Sequence, residues 1–203
     1  MPAVQVSPTL AAVGASGTTS PTQALQTNLA LADREMNAAR TSASLAAAQQ
    51  HAQMVINLYV GAWGRWFSAS QVVAPGGGQG IFPGERIPGP APDSGAVLPI
   101  GWGIRAYEMG DPPTQQAVQS IMGDAMRWSN DPRAGYDQIA AAVTSADVNG
   151  SQIDRLPGTG ERAVAWARLI LVKANSVEQA QQYAGLGSQA TGAALAAVQG
   201  LRP

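Results

Sequence analysis

A chain of 203 residues is long enough to bury a real core, as one large domain or two small ones. Charged residues make up only 12 % of it and the formal net charge is −1, which excludes the basic footprint needed to bind nucleic-acid phosphates. Cysteine is absent, so disulfides, thiolate metal sites and cysteine nucleophiles are excluded as well.

Apolar residues supply 45 % of the chain, but much of that is alanine and only two Phe are present. Alanine buries little area per residue, at about 25 cal/mol per Å². Stability must therefore come from many close backbone contacts or from partners. The first residues, MPAVQVSPTLAAVGASG, lack a basic region and a sustained apolar stretch, and do not read as a signal peptide. No apolar run approaches the length needed to span a bilayer.

Residues 1–20 have no helical period and read as an extended arm. Ser20-Pro21 then offers an N-cap followed by proline at the first helical position. No proline interrupts the chain up to residue 73, and the pattern predicts one long helix over 21–73. Leu25, Leu29, Ala32, Met36, Ala39, Ala43 and Ala46 follow steps of four and three, a short heptad seam open to close helix approach. Tyr59, Trp63, Trp66 and Phe67 share one face at the end of this segment. Such a stripe packs into a core, docks a partner, or lies at a membrane interface.

Residues 74–99 contain seven Gly and six Pro, half of the stretch. Glycine resists ordering and proline lacks a donor, so 74–110 is expected to be an arm or linker. Ile81, Phe82 and Ile87 could anchor it on a neighbouring surface. A C-terminal helical domain is expected over 111–203. Asp111-Pro112 and Asp131-Pro132 open helices to about Ser129 and Val143, the first with Val118, Ile121, Met122, Ala125 and Met126 inward. The stretch from Glu161 to Ala174 is apolar nearly all round and reads as the central buried helix. Ser176 and Gln179 form a capping box for the last helix, which its glycines weaken.

Two strings imitate ligand sites and fail at identifiable positions. LPGTGERAV (156–164) superficially resembles a phosphate loop, but Arg155 replaces its first glycine. Glu161 and Arg162 replace its Lys and Ser/Thr. DVNGSQID (147–154) resembles part of a calcium loop, yet Gln152 takes the glycine position and Gly158 that of the closing carboxylate. His51, the only histidine, reads as a solvated helix residue, as do Asp33, Arg34, Glu35 and Arg40. Arg65 and Arg168 fall inside apolar segments, where they must pair or snorkel.

The expected fold is all-α: one long N-terminal helix, a long Pro/Gly-rich loop and a C-terminal group of about four helices. No catalytic, cofactor-binding or metal-binding residue stands out. The expected function is a non-catalytic structural subunit of a large assembly, with a bacteriophage virion first. Its partners would be other protein subunits, in a homo-oligomer or hetero-assembly, without direct nucleic-acid contact and with a membrane contact as a further option. An extracytoplasmic secretion or conjugation component, periplasmic if a leader has been removed, is the alternative. An enzyme using carboxylates from separate helices is a third. Candidate interface residues are Leu25, Leu29, Met36, Tyr59, Trp63, Trp66, Phe67, Ile81, Phe82 and Ile87.

Overall fold

A computed structural model describes residues 19–71, 79–85, 100–147 and 149–202. Residues 1–18 of the expected arm, most of 74–99 and the anchor residue Ile87 lie outside the described residues. Within them the chain is all-α, with no strand. In chain order the helices are α1 (Pro21–Arg40), α2 (Leu45–Val60), α3 (Trp102–Met109), α4 (Pro112–Met122), α5 (Ala125–Asn130), α6 (Pro132–Ser145), α7 (Ser151–Asp154), α8 (Thr159–Val172) and α9 (Val177–Val198).

The single helix expected over 21–73 is instead two helices. Thr41 closes α1, and the Ser42 hydroxyl donates back to the Ala38 carbonyl at 2.9 Å. Ser44 then caps α2, accepting from the Ala47 N–H at 3.2 Å. Three hydroxyl residues in four positions offer the backbone alternatives to helical bonding, and this competition ends the helix. The heptad seam stops with it: Leu25, Leu29, Ala32, Met36 and Ala39 are fully buried, whereas Ala43 and Ala46 are exposed. The expected arm is also shorter than 74–110, because Trp102–Met109 is helical.

The helical hairpin α1–α2 packs on a second hairpin, α8–α9. Contacts run α1 to α2, α2 to α8, α8 to α9 and α9 back to α1, so four helices close a bundle. Segments 21–73 and 111–203 thus share one core. Antiparallel pairing of α1 with α9 is fixed at both ends. Gln26 donates to the Val198 carbonyl at 2.9 Å, and Gln181 donates to the Ser42 carbonyl at 2.8 Å. Gly187 leaves room for Met36, as a Cβ there would lie 2.7 Å from the Met36 methyl.

Helices α3 to α5 gather at one end of the bundle, while α6 runs along α8, with Lys173 at the end of α8 donating to the Thr144 and Ala146 carbonyls at the end of α6. The helix expected to run from Asp111 to about Ser129 is broken at Gly123, whose φ of +72° few side chains tolerate, and restarted by the Asp124 cap. The break turns Met126 outward to 53 % exposure, while Val118, Ile121, Met122 and Ala125 are buried as expected. Helix α8 is the buried centre that its apolar pattern predicted, and Ser176 caps α9 through Gln179 N–H at 3.2 Å.

The break at 41–44 sets a sign that can be measured. Ser44→Ala is expected to destabilise the protein by about 1 kcal/mol, through loss of an N-cap. In a continuous helix the same change would stabilise, since alanine is the better helix former. Urea unfolding of the variant distinguishes the two by the direction of the midpoint shift.

Candidate functional site

Residues 79–85 (QGIFPGE) belong to no helix, yet they run through the core at the bundle end. Gly80, Ile81, Phe82, Pro83 and Gly84 are all buried. A buried backbone must find partners for its polar groups, and here the surrounding helices supply them. Phe82 N–H donates to the Tyr59 carbonyl at 2.8 Å, and Glu85 N–H to the Trp63 carbonyl at 2.9 Å. In return the Gly80 and Ile81 carbonyls accept from Trp102 N–H at 2.8 Å and Gly103 N–H at 2.9 Å. Tyr136 donates its hydroxyl to the Pro83 carbonyl at 3.0 Å.

Glycine makes this passage possible. A Cβ on Gly80 would lie 2.3 Å from the Gly61 nitrogen, and one on Gly101 would lie 2.3 Å from the Ile81 carbonyl oxygen. Any larger residue at either point forces the segment out. The glycine content that argues against an ordered element thus serves close backbone approach in this part of the stretch.

Phe82 is the side chain that fills the slot. Its ring stacks on Trp128 with centroids 4.4 Å apart and planes 1° from parallel, and it meets Tyr59 at 5.6 Å. Tyr136 stands edge-on to Trp128 at 5.1 Å, and Trp66 edge-on to Tyr136 at 5.5 Å. Offset-stacked and edge-to-face pairs are favoured arrangements for ring quadrupoles. Arg168 lies 5.0 Å over the Trp66 ring, a cation–π contact, and its burial pulls its pKa down.

At the far end of the segment Arg65 holds Glu85 by two hydrogen bonds, one of them Nε to Oε2 at 2.7 Å, and donates to Asp137 at 2.6 Å. The bonds to Glu85 raise the Arg65 pKa despite partial burial, with Asp137 adding to the effect. Two carboxylates distant in sequence do converge here, but the guanidinium lies between them and occupies both. The arrangement is a clamp tying the end of α2, the inserted segment and α6.

Beneath the slot, Glu161 is wholly buried at the start of α8. One carboxylate oxygen accepts from Gly158 N–H at 3.0 Å; the other accepts from Trp128 Nε1 at 3.0 Å and from Arg127. Burial raises its pKa, and those donors offset part of the rise. The residue that spoils the phosphate-loop pattern is therefore a helix cap that also orients Trp128. The described part of the calcium-like string is a turn at Asn149 and Gly150 leading into α7. Asp147 accepts from Asn149 N–H at 3.0 Å and from the Ser151 hydroxyl at 3.0 Å. Among the described residues no group of acidic or histidine side chains is arranged to hold a metal ion.

Of the candidate interface residues, Leu25, Leu29, Met36, Tyr59, Ile81 and Phe82 lie inside the chain's own core and are unavailable to a partner in this fold. Trp66 and Phe67 pack partly against the same core. Among the described candidates only Trp63 keeps an open face, 53 % exposed. Ile81 and Phe82 anchor the Gly/Pro-rich stretch as expected of them, but in the chain itself and not on a neighbour. Sequence reading missed Trp128, Tyr136, Glu85, Asp137 and Glu161. The proline at 132 did mark the break that puts Trp128 and Tyr136 on successive helices, but nothing in the spacing pairs them with Phe82.

Glu35, expected on a solvated face, is buried, and His51 is half-buried beside it. Glu35 is 6 % exposed on α1 and bonds the His51 ring nitrogen of α2 at 2.8 Å and Arg34 at 2.7 Å. Burial pushes the Glu35 carboxyl up, but the bonds from Arg34 and His51 outweigh it and hold the pKa below the ordinary 4.5. A carboxylate lowered on folding contributes stability above its unfolded pKa and loses it as pH falls through the folded value. Thermal unfolding against pH is expected to show a decline below about pH 4.5 that Glu35→Gln diminishes; an unchanged acid limb would contradict this role. Phe82→Ala is expected to cost about 4 kcal/mol in denaturant unfolding, and a loss below about 1 kcal/mol would mean that the stack does not hold the segment.

Comparison with protein families, with characterised proteins and with solved structures finds no match to this chain.

Proposed function

We propose that the protein is a non-catalytic structural subunit of a larger protein assembly, and that the assembly is a bacteriophage virion, in a capsid-associated, head–tail or ejection role. The observation that carries this reading is the grip on residues 79–85. The chain commits its aromatic cluster, its glycine close approaches and its Arg65 clamp to fixing one short segment between two Gly/Pro-rich stretches, 72–78 and 86–99. A body that holds the root of such stretches can transmit load from them into a helical bundle, which is what a lattice or ring subunit requires.

Two further features support the reading. Acidic and basic residues are sparse, 13 and 12 in the whole chain, and most of the buried ones are paired internally. Low charge reduces the desolvation cost of burying a surface against neighbours. The Glu85 and Asp137 carboxylates both accept from Arg65, so this pair of acidic groups serves the clamp.

Native mass spectrometry of the purified full chain is expected to show an oligomer, and proteomics of particles shed by its host is expected to find it at fixed copy number. A chain that stays monomeric at every concentration and is missing from such particles would sink the proposal.

A further inference from the structure

Arg168 is a half-buried cation without an anionic partner among the described residues. Its guanidinium lies 5.0 Å over the Trp66 ring. Burial alone pulls its pKa down, with no carboxylate and no hydrogen bond acting against it. Arg65, next to Trp66 in the chain, is the contrast, since Glu85 and Asp137 both accept from it. A guanidinium taken out of water and left unpaired is unfavourable, and an aromatic face offsets only part of that. A leucine or methionine in its place would cover Trp66 without burying a charge.

The surroundings narrow what completes the pairing. Trp66 follows α2 and stands edge-on to Tyr136 of α6, so its ring bridges α6 and α8 beside Arg168. One turn further along the same face of α8, Val172 is 51 % exposed. The patch is thus one guanidinium fork with apolar surface on both sides. The neighbouring cations are committed elsewhere: Arg65 to its two carboxylates, and Lys173 to the Thr144 and Ala146 carbonyls at 3.0 and 2.9 Å. Nucleic-acid and membrane phosphates are read by rows of cations, which this face does not offer. A single planar fork matches one carboxylate through two parallel bonds.

We propose that the face formed by Trp66, Arg168 and Val172 is a docking site for an acidic segment of a partner protein, with a carboxylate on the guanidinium and an adjoining apolar side chain on Val172. Charge complementarity identifies the occupant, because binding supplies the anion that Arg168 lacks. The inference rests on the subunit reading above for the partner being a neighbouring subunit.

The test uses the full-length protein and N-acetyl-Leu-Glu-Leu amide as the probe, with the Gln-containing peptide and inorganic phosphate as controls. Nitrogen-15 NMR signals of the Arg168 Nε–H and the Trp66 indole N–H, assigned by substitution, read the site directly. The Glu peptide is expected to shift both signals saturably, and the Gln peptide to bind about tenfold more weakly. Arg168→Lys keeps the charge but loses the fork, and is expected to fold and to bind the Glu peptide more weakly than wild type. Arg168→Met is expected to abolish the difference between the two peptides without lowering the urea midpoint, since it removes an unpaired cation and keeps an apolar side chain on Trp66. A midpoint that falls, with no response to the Glu peptide, would mean that Arg168 serves only to pack Trp66, and would overturn the proposal. An equal response to phosphate (an unselective anion contact) or to the Gln peptide (an apolar contact) would overturn it as well. If the peptide response is absent while the wild type still forms oligomers, the subunit reading stands and this inference falls. A monomeric chain that binds the Glu peptide selectively keeps the site and removes the subunit reading.

Discussion

Phe82 lies flat on Trp128 at 4.4 Å, and that stack couples a segment without regular structure to a helical body. Much of the bundle end is arranged around it. Trp128 is fixed from below by Glu161, which accepts from its indole N–H while capping α8, so the ring cannot turn away without breaking the start of the central helix. Tyr136 closes the side of the slot with its ring and its floor with a hydrogen bond to Pro83. Removing the stack would leave a cavity flanked by buried backbone groups that water would then have to satisfy.

The polar contacts around the slot and across the bundle follow one logic. An alanine-rich core gains little per residue, so helices approach closely and the few charges that enter are used as ties between elements. Glu35 joins α1 to α2 through His51, Arg65 joins the end of α2 to the inserted segment and α6, and Glu161 joins α8 to α5. Each carboxylate is expensive to bury alone and becomes tolerable with its donors in place. Such ties specify which elements meet more than they add net stability.

This architecture also shapes the functional reading. The helical body is closed on itself, and of the aromatic stripe Tyr59 is core, Trp66 and Phe67 pack partly against it, and Trp63 stays exposed. What the fold presents distinctively is a gripped segment with long connections on either side. The proposed subunit role rests on that grip.

Local signals in the sequence were sufficient for the helices and many of their ends. Ser20-Pro21, Asp111-Pro112, Asp131-Pro132 and Ser176 all cap helices as their chemistry dictates, because a cap depends on residues within one turn. The break at 41–44 lies in its hydroxyl residues, but the heptad steps that continue through Ala43 to Ala46 mask it. Tertiary structure alone decided the rest. Phe82 meeting Trp128, Arg65 meeting Glu85 and Asp137, and Glu35 meeting His51 join residues far apart in the chain, and no local period encodes such meetings. The glycines of 79–85 and 101 carry the same ambiguity: by themselves they read as disorder, and only the neighbouring backbone at van der Waals distance turns their missing Cβ into a packing requirement.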